Sequence, residues 1–272
     1  MVHSQNKILL IVEGAKTEPR VFERIEKVKW NESSSLNIVP IGTNIYSLYQ
    51  TIEKLNADFN DDSTSTIEVL KQILKDNKRF DELAKLEQKY PYIYLLFDFE
   101  YQDNHFENKK EILLKMMNYF SDETDNGLLL INYPMIESYR DYKEPLPYKD
   151  YKELTVPVRV VKDLEYKSLV DKRGTAKNYS KYNLKDFELI FIQNLMKANY
   201  VANGMYEVPD YNEFVYLVEG KNILDGEFKY VDDKDEIAIL CTSIFIFIYY
   251  FGKKYYSDVI SKYNEVIMSF EN

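Results

Sequence analysis

The sequence predicts an α/β fold, in which a mostly parallel sheet flanked by helices is followed by a mainly helical C-terminal region. Short, continuous apolar runs, such as KILLIV at 7–12 and YIYLLF at 92–97, are typical of strands buried on both faces. Helix-like patterns separate these runs, and strands that alternate with helices indicate parallel pairing. With 272 residues, 45% of them hydrophobic, the chain can form a sizeable core.

The first predicted unit is a strand, a tight turn and a helix. The apolar run at 7–12 ends at Glu13-Gly14, and Thr17 can then cap a helix with Glu18 in its first turn. Further strands are predicted at 36–41, 92–97 and 128–131, and further helices at 45–55, 67–88, 108–120, 184–201 and 235–270. A change to a Pro-, Tyr- and Lys-rich segment near residue 141 predicts one domain at 1–141 and a second region at 142–272.

Composition limits the classes of function. A formal charge of -10 disfavours unspecific binding to a polyanion, so any contact with nucleic acid must be regional. One cysteine and two histidines exclude an internal disulfide and any His- or Cys-rich metal site.

No apolar signal segment precedes the first strand. The longest apolar stretch, 237–251, is too short for a membrane span and is expected to be a buried helix. These features predict a cytoplasmic protein without a membrane segment.

Acidic side chains follow two of the predicted buried strands. Glu13 comes directly after the first strand, while Asp98 and Glu100 end the third. Because the carboxyl ends of parallel strands share one edge of a sheet, the three carboxylates should converge if these strands are neighbours. Clustered carboxylates repel one another unless a cation compensates them, and oxygen ligands without His or Cys suit Mg²⁺ or Mn²⁺. The pattern predicts a divalent-metal site suited to phosphoryl transfer.

Two motifs carry a family resemblance. ILLIVEGAKTEP at 8–19, followed by YLLFDFE at 94–100, resembles the Toprim domain, and the VEGxxTE form is closer to the OLD-family and abortive-infection nucleases than to topoisomerases. The resemblance covers about residues 7–140 and implies a Mg²⁺-dependent endonuclease in which Glu13, Asp98 and Glu100 bind metal or act as acid and base. The second motif departs from the family's DxD pattern, because Glu100 stands where that pattern has Asp.

Two further acids are candidate metal ligands. Glu18 lies five residues after Glu13, although an acid in the first turn of a helix is also favoured by the helix dipole alone. Glu137, in NYPMIES at 132–138, follows the fourth predicted strand and is similar to an acid of OLD-like proteins. For Glu18 and Glu137, a metal-binding role and a structural role both stay open.

A basic segment lies in the second region. Residues 159–185 contain eight Lys or Arg against three acids, interleaved with tyrosines. This mixture suits phosphate binding with aromatic stacking on bases, and a solvated helical face is the equal alternative. Lys172 and Lys177 are the candidate catalytic lysines, with Arg173 beside them, because a cation near the metals would stabilise developing charge at phosphate.

The leading hypothesis is a metal-dependent nuclease that cleaves DNA or RNA as an antiphage effector. The resemblance implies that an ATPase partner accompanies some such nucleases, and this chain has no GxxxxGK[ST] loop of its own. The alternative hypothesis is a non-catalytic Toprim-like subunit that binds a partner or senses phage components. Nucleotidyl transfer is a third option. The sequence leaves the nucleic acid substrate and homo-oligomer formation open.

Overall fold

A computed structural model describes residues 6–29, 34–55, 65–103, 107–143, 145–175 and 179–271. It confirms the α/β fold with a mostly parallel sheet, flanking helices and a helical C-terminal region. The chain divides into two compact units. Unit 1 comprises Met1–Asp98 and Asn108–Leu130, and unit 2 comprises Phe99–Glu107 and Ile131–Asn272.

A five-stranded sheet forms the centre of unit 1. Its strands are β1 (Asn6–Val12), β2 (Ser34–Pro40), β3 (Tyr92–Asp98), β4 (Ser121–Asp122) and β5 (Gly127–Asn132), in the spatial order β2-β1-β3-β5-β4. β1 pairs in parallel with β2 on one side and β3 on the other, whereas β4 and β5 are antiparallel. Residues 8–12 of β1 are fully buried, which explains their uninterrupted apolar sequence. The ends of β1 and β3 therefore lie side by side.

The helices of unit 1 are α1 (Thr17–Lys29), α2 (Ile45–Leu55), α3 (Thr66–Asp76), α4 (Phe80–Lys85) and α5 (Lys109–Tyr119). The prediction of one continuous helix at 67–88 was wrong, because the chain turns between α3 and α4. Lys78 adopts a left-handed φ of 56°. The N–H of Arg79 then donates to the carbonyl of Leu74 at 2.8 Å, and the N–H of Lys78 donates to that of Lys75 at 3.0 Å. These two bonds satisfy the last carbonyls of α3 and end the helix.

Unit 2 contains a short antiparallel pair, β6 (Thr155–Pro157) and β7 (Glu236–Ala238). Its helices are α6 (Val158–Lys162), α7 (Tyr166–Arg173), α8 (Leu184–Asn203), α9 (Tyr211–Val218), α10 (Lys221–Lys234), α11 (Ile246–Tyr249), α12 (Gly252–Lys262) and α13 (Asn264–Glu271). The helix predicted at 184–201 is present as α8, the longest of these helices.

The prediction of helix across 235–270 was only partly right. The apolar stretch 237–251 is largely buried, but it contains part of β7, a 3₁₀ turn at Thr242–Phe245 and α11 rather than one helix. Buried side chains satisfy its backbone in place of helical bonds: Asn194 Oδ1 accepts from the N–H of Cys241 at 2.7 Å, and Asn132 Oδ1 accepts from that of Ser243 at 3.1 Å. Among the described residues, no helix combines the length and apolar character needed to cross a membrane.

Candidate metal centre

Glu13 stands at the end of β1, where the parallel ladder continues beyond the strand. The N–H of Ile41 donates to the carbonyl of Val12 at 2.9 Å, and the N–H of Gly42 donates to the carbonyl of Glu13 at 3.0 Å. Gly42 has a φ of 68°, a conformation that glycine adopts at little cost. The backbone of Glu13 is therefore held by the segment after β2, and its half-buried side chain projects from the edge of the sheet.

Asp98 is the last residue of β3 and is buried. Its backbone N–H donates to Oε2 of Glu13 at 3.4 Å, a long contact that places the Glu13 carboxylate at the end of the neighbouring strand. The expected convergence of these two acids thus follows from the parallel pairing of β1 with β3.

Glu100 follows after one intervening residue. Phe99 is fully buried and packs against Tyr133 and Phe228, with ring centroids 4.9 and 5.5 Å away. The extended chain then ends, because Glu100 has a left-handed φ of 47°. A non-glycine residue in this region is uncommon, and such conformations concentrate at functional sites.

The three carboxylates form one cluster. One oxygen each from Glu13, Asp98 and Glu100 can be chosen so that all three lie within 4.8 Å of one another. Burial raises the pKa of Glu100, repulsion from Asp103 adds to the increase, and the positive charge of Lys167 opposes it. Only oxygen donors contribute, so the cluster fits a hard divalent cation such as Mg²⁺ or Mn²⁺.

Glu18 lies outside this cluster and is bound to the turn before its own helix. Its buried carboxylate accepts a hydrogen bond from the N–H of Gly14 at 2.8 Å. A Cβ at position 14 would lie only 3.0 Å from Oε2 of Glu18, so glycine allows this close approach. The contact supports the structural reading of Glu18, in which it shapes the turn after Glu13.

Glu137 is buried in a 3₁₀ turn, Ile136–Arg140, and also lies outside the cluster. Its Oε1 forms an ion pair with Nζ of Lys167 at 3.3 Å. Lys167 is the first lysine of α7 and also lowers the pKa of Glu100. The lysine that interacts with two of the predicted acids is therefore Lys167, a residue that sequence reasoning missed.

The predicted lysines lie elsewhere. Lys172 is exposed and five residues after Lys167, which places it about 140° away around an ideal helix. Arg173 binds buried Asp141 through two hydrogen bonds of 2.8 and 2.6 Å, so its charge is used within the fold. Lys177 lies outside the described residues.

Arg79 is a second cation that sequence reasoning missed. A Cβ built on Gly42 would lie 2.9 Å from Nη1 of Arg79, so the guanidinium rests against the residue whose N–H binds Glu13. Nη2 of Arg79 forms an ion pair with Glu82 at 2.5 Å. Arg79 and Glu82 do not belong to a recognisable sequence motif. The turn between α3 and α4 brings Arg79 to this position.

Comparisons of the chain with protein-family models, with curated proteins and with solved structures give no match. The geometry of the cluster and the two sequence motifs that supply its members are therefore the features that indicate a function.

Proposed function

We propose that the chain is a divalent-metal-dependent nuclease that cleaves phosphodiester bonds, with Glu13, Asp98 and Glu100 as its metal ligands. The observation that carries the proposal is the approach of three carboxylate oxygens to within 4.8 Å of one another. Glu13 directly follows β1, Asp98 ends β3 and Glu100 comes two residues later, at the motif positions that the Toprim resemblance implies.

A cation is the simplest way to stabilise this arrangement. Two like charges about 5 Å apart repel by roughly 3 kcal/mol at an effective dielectric constant near 20, and three carboxylates form three such pairs. Burial and, secondarily, repulsion from Asp103 also raise the pKa of Glu100. A bound Mg²⁺ or Mn²⁺ would reverse the repulsion and would activate water and neutralise charge on a phosphate.

The remaining groups fit a phosphate substrate. Lys167 carries its positive charge near Glu100 and remains 60% exposed at its side chain. Its ion pair with buried Glu137 holds the ammonium group in place, and such a cation can stabilise negative charge on a phosphate. We therefore propose Lys167, and not Lys172, as the catalytic lysine.

The proposed substrate is DNA or RNA, and the proposed role is an antiphage effector in the cytoplasm. The defence role and an ATPase partner come from the resemblance to OLD-family and abortive-infection nucleases. The basic segment at 159–185 supports nucleic acid as the substrate, because it is a region of positive charge in an otherwise acidic chain.

The deciding experiment compares cleavage of plasmid DNA, single-stranded DNA and tRNA in Mg²⁺, Mn²⁺ or EDTA. We expect cleavage in Mg²⁺ or Mn²⁺ and a loss of at least 100-fold in Glu13→Gln and in Asp98→Asn. Asp125→Asn, which changes an exposed acid in a turn, is the matched control and should cleave like the wild type.

Cleavage that persists unchanged in both cluster variants would contradict the proposal. A protein that fails to bind Mn²⁺ in calorimetry, and that cleaves nothing even with a candidate ATPase partner, would instead support the non-catalytic subunit.

A further inference from the structure

A cavity of about 490 Å³ lies in unit 2, at the beginning of α8. Its volume is within the range of small-molecule binding sites. The described residues that line it include the last part of the basic segment: Tyr142, Pro145, Leu146, Thr175, Lys181, Tyr182, Asn183, Lys185, Asp186 and Leu189. None of the proposed metal ligands contributes to it.

Two lysines give the cavity its positive charge. Lys181 and Lys185 both line the cavity and are exposed. Within the part of the chain that the structure describes, neither ammonium group has an ion-pair or hydrogen-bond partner. Asp186 also lines the cavity, so the three charged side chains sum to one positive charge in a chain of -10.

The carboxylate of Asp186 is committed to the helix. Asn183 and Asp186 form a capping box, in which Asp186 Oδ2 accepts from the N–H of Asn183 at 2.8 Å and Asn183 Oδ1 accepts from that of Asp186 at 3.2 Å. The first-turn amides of Leu184 and Lys185 have no intrahelical partner by helix geometry. Lysines and helix N-terminal amides are both donors that favour a phosphate group.

The rest of the wall suits the sugar and base of a nucleotide. Thr175 Oγ1 and the hydroxyl of Tyr182 form a hydrogen bond of 2.7 Å, and the side chain of Tyr142 lies near both residues. All three side chains are buried and line the cavity, so they form a polar wall. Leu146 and Leu189 add apolar surface beside them. Tyr182 packs against Phe187 and Tyr139, so it contributes its hydroxyl rather than an exposed ring face.

We propose that this cavity binds a nucleotide, with the phosphate at Lys181, Lys185 and the start of α8 and the remainder along the hydroxyl and apolar wall. The nucleotide is either free or part of a nucleic-acid strand, because both offer the same chemistry. The site is distinct from the carboxylate cluster and does not depend on the proposed nuclease activity.

Calorimetric titration of the full chain in EDTA tests the proposal with four probes: AMP, adenosine, inorganic phosphate and the 5′-phosphorylated tetranucleotide pdT4. We expect AMP or pdT4 to bind at least 10-fold more tightly than adenosine or phosphate. Tighter binding of AMP identifies a free nucleotide as the ligand, and tighter binding of pdT4 identifies a strand. Glu13→Gln should bind like the wild type, which separates this site from the proposed nuclease centre.

Two variants locate the binding. Lys181→Gln with Lys185→Gln should weaken binding at least 10-fold, and Leu146→Trp should weaken it by filling the cavity without changing charge. The matched control, Lys149→Gln with Lys172→Gln, removes two exposed lysines that do not line the cavity and should bind like the wild type. The proposal fails if no probe binds at millimolar concentration, if phosphate alone binds as well as AMP and pdT4, or if both cavity variants bind like the wild type.

Discussion

Oε2 of Glu13 accepts a hydrogen bond from the backbone N–H of Asp98 at 3.4 Å, across the boundary between two parallel strands. This contact joins the end of β1 to the end of β3, and it orients one acid by the backbone of the other. Because the donor is a backbone group, it remains when either side chain is replaced by its amide. Neutral variants at these positions should therefore test charge without disturbing the sheet.

Compared with the wild type, Glu13→Gln and Asp98→Asn should be equally or more stable to heat without metal, and less stable with metal bound. In EDTA each variant should melt at or above the wild-type temperature, because one like charge is removed from the cluster. Saturating Mn²⁺ should stabilise the wild type by about 2.7 kcal/mol when its concentration is 100 times Kd, and should stabilise the variants far less. Differential scanning calorimetry measures both effects, and equal Mn²⁺ shifts in all three proteins would count against the metal site.

Lys167→Gln should lower kcat for nucleic-acid cleavage by about 100- to 1000-fold, in the range found when one group that stabilises transition-state charge is removed. The variant also leaves the buried carboxylate of Glu137 without this ion pair, so the melting temperature is measured beside kcat to separate lost catalysis from lost stability. Lys172→Gln, on another face of the same helix, is the control and should keep wild-type kcat. If the two variants lose equal activity, the proposed catalytic role of Lys167 is wrong.

Arg173→Ala should destabilise the protein by about 3 kcal/mol, since it leaves the buried carboxylate of Asp141 without its two-pronged partner. Tyr166 would still donate to Asp141 at 3.0 Å, but it carries no charge. Urea unfolding measures the change in free energy, with Lys172→Ala as the neighbouring exposed control. Equal free energies of unfolding for the two variants would show that the ion pair between Arg173 and Asp141 does not stabilise the fold.

Lys197→Met should also destabilise, by about 3 kcal/mol, because three buried or partly buried carbonyl groups lose their donor. Nζ of Lys197 donates to the carbonyls of Tyr151 and Leu154 at 3.2 Å each, and to that of Lys152. Lys185→Met, at an exposed position of the same helix, should change stability by less than about 0.5 kcal/mol. Chemical denaturation of both variants provides the comparison.

Glu227→Gln should reduce the pH dependence of stability. Burial raises the pKa of Glu227 well above 4.5, while the N–H of Ala238 and the charge of Lys197 oppose the increase. The folded chain therefore keeps this proton at pH values where the unfolded chain has lost it, and stability falls as pH rises from 4.5 through the folded pKa. One such proton contributes at most about 1.4 kcal/mol per pH unit.

The Gln variant lacks this proton, so its free energy of unfolding should fall less than that of the wild type between pH 5 and pH 7. Burial lowers the pKa of Lys197 to about 8, so this group stays protonated in the wild type over the same range. Parallel slopes for the two proteins in urea unfolding would contradict the prediction.

β1 and β3 were predictable because both of their faces are buried, which requires continuous apolar runs. The exposed two-residue strand β4 was not predicted, because it has no apolar run. The helix α2 was predicted with its observed bounds, 45–55, since its apolar periodicity is clear. The break at Lys78 was not predictable from periodicity, because a lysine gives no signal for a left-handed conformation.

The proposed site was predictable to the extent that its members follow strand ends. Glu13 and Asp98 come together through strand order, which alternation of strands and helices indicates but does not determine. Lys167, in contrast, interacts with Glu137 and Glu100 through tertiary structure. The local cluster of charges in the basic segment favoured Lys172 and Lys177 over Lys167, because the sequence does not show which helix face meets the acids.

The position of β1 between two parallel partners should also slow the hydrogen exchange of its amides. Its amides lie in the interior of the ladder, and residues 8–12 have no exposed surface. Hydrogen exchange at such amides requires opening of the whole unit, so β1 should retain its protons longer than exposed turns do. Glu13 directly follows this strand, and its backbone should therefore keep its position through the local openings that release other parts of the chain.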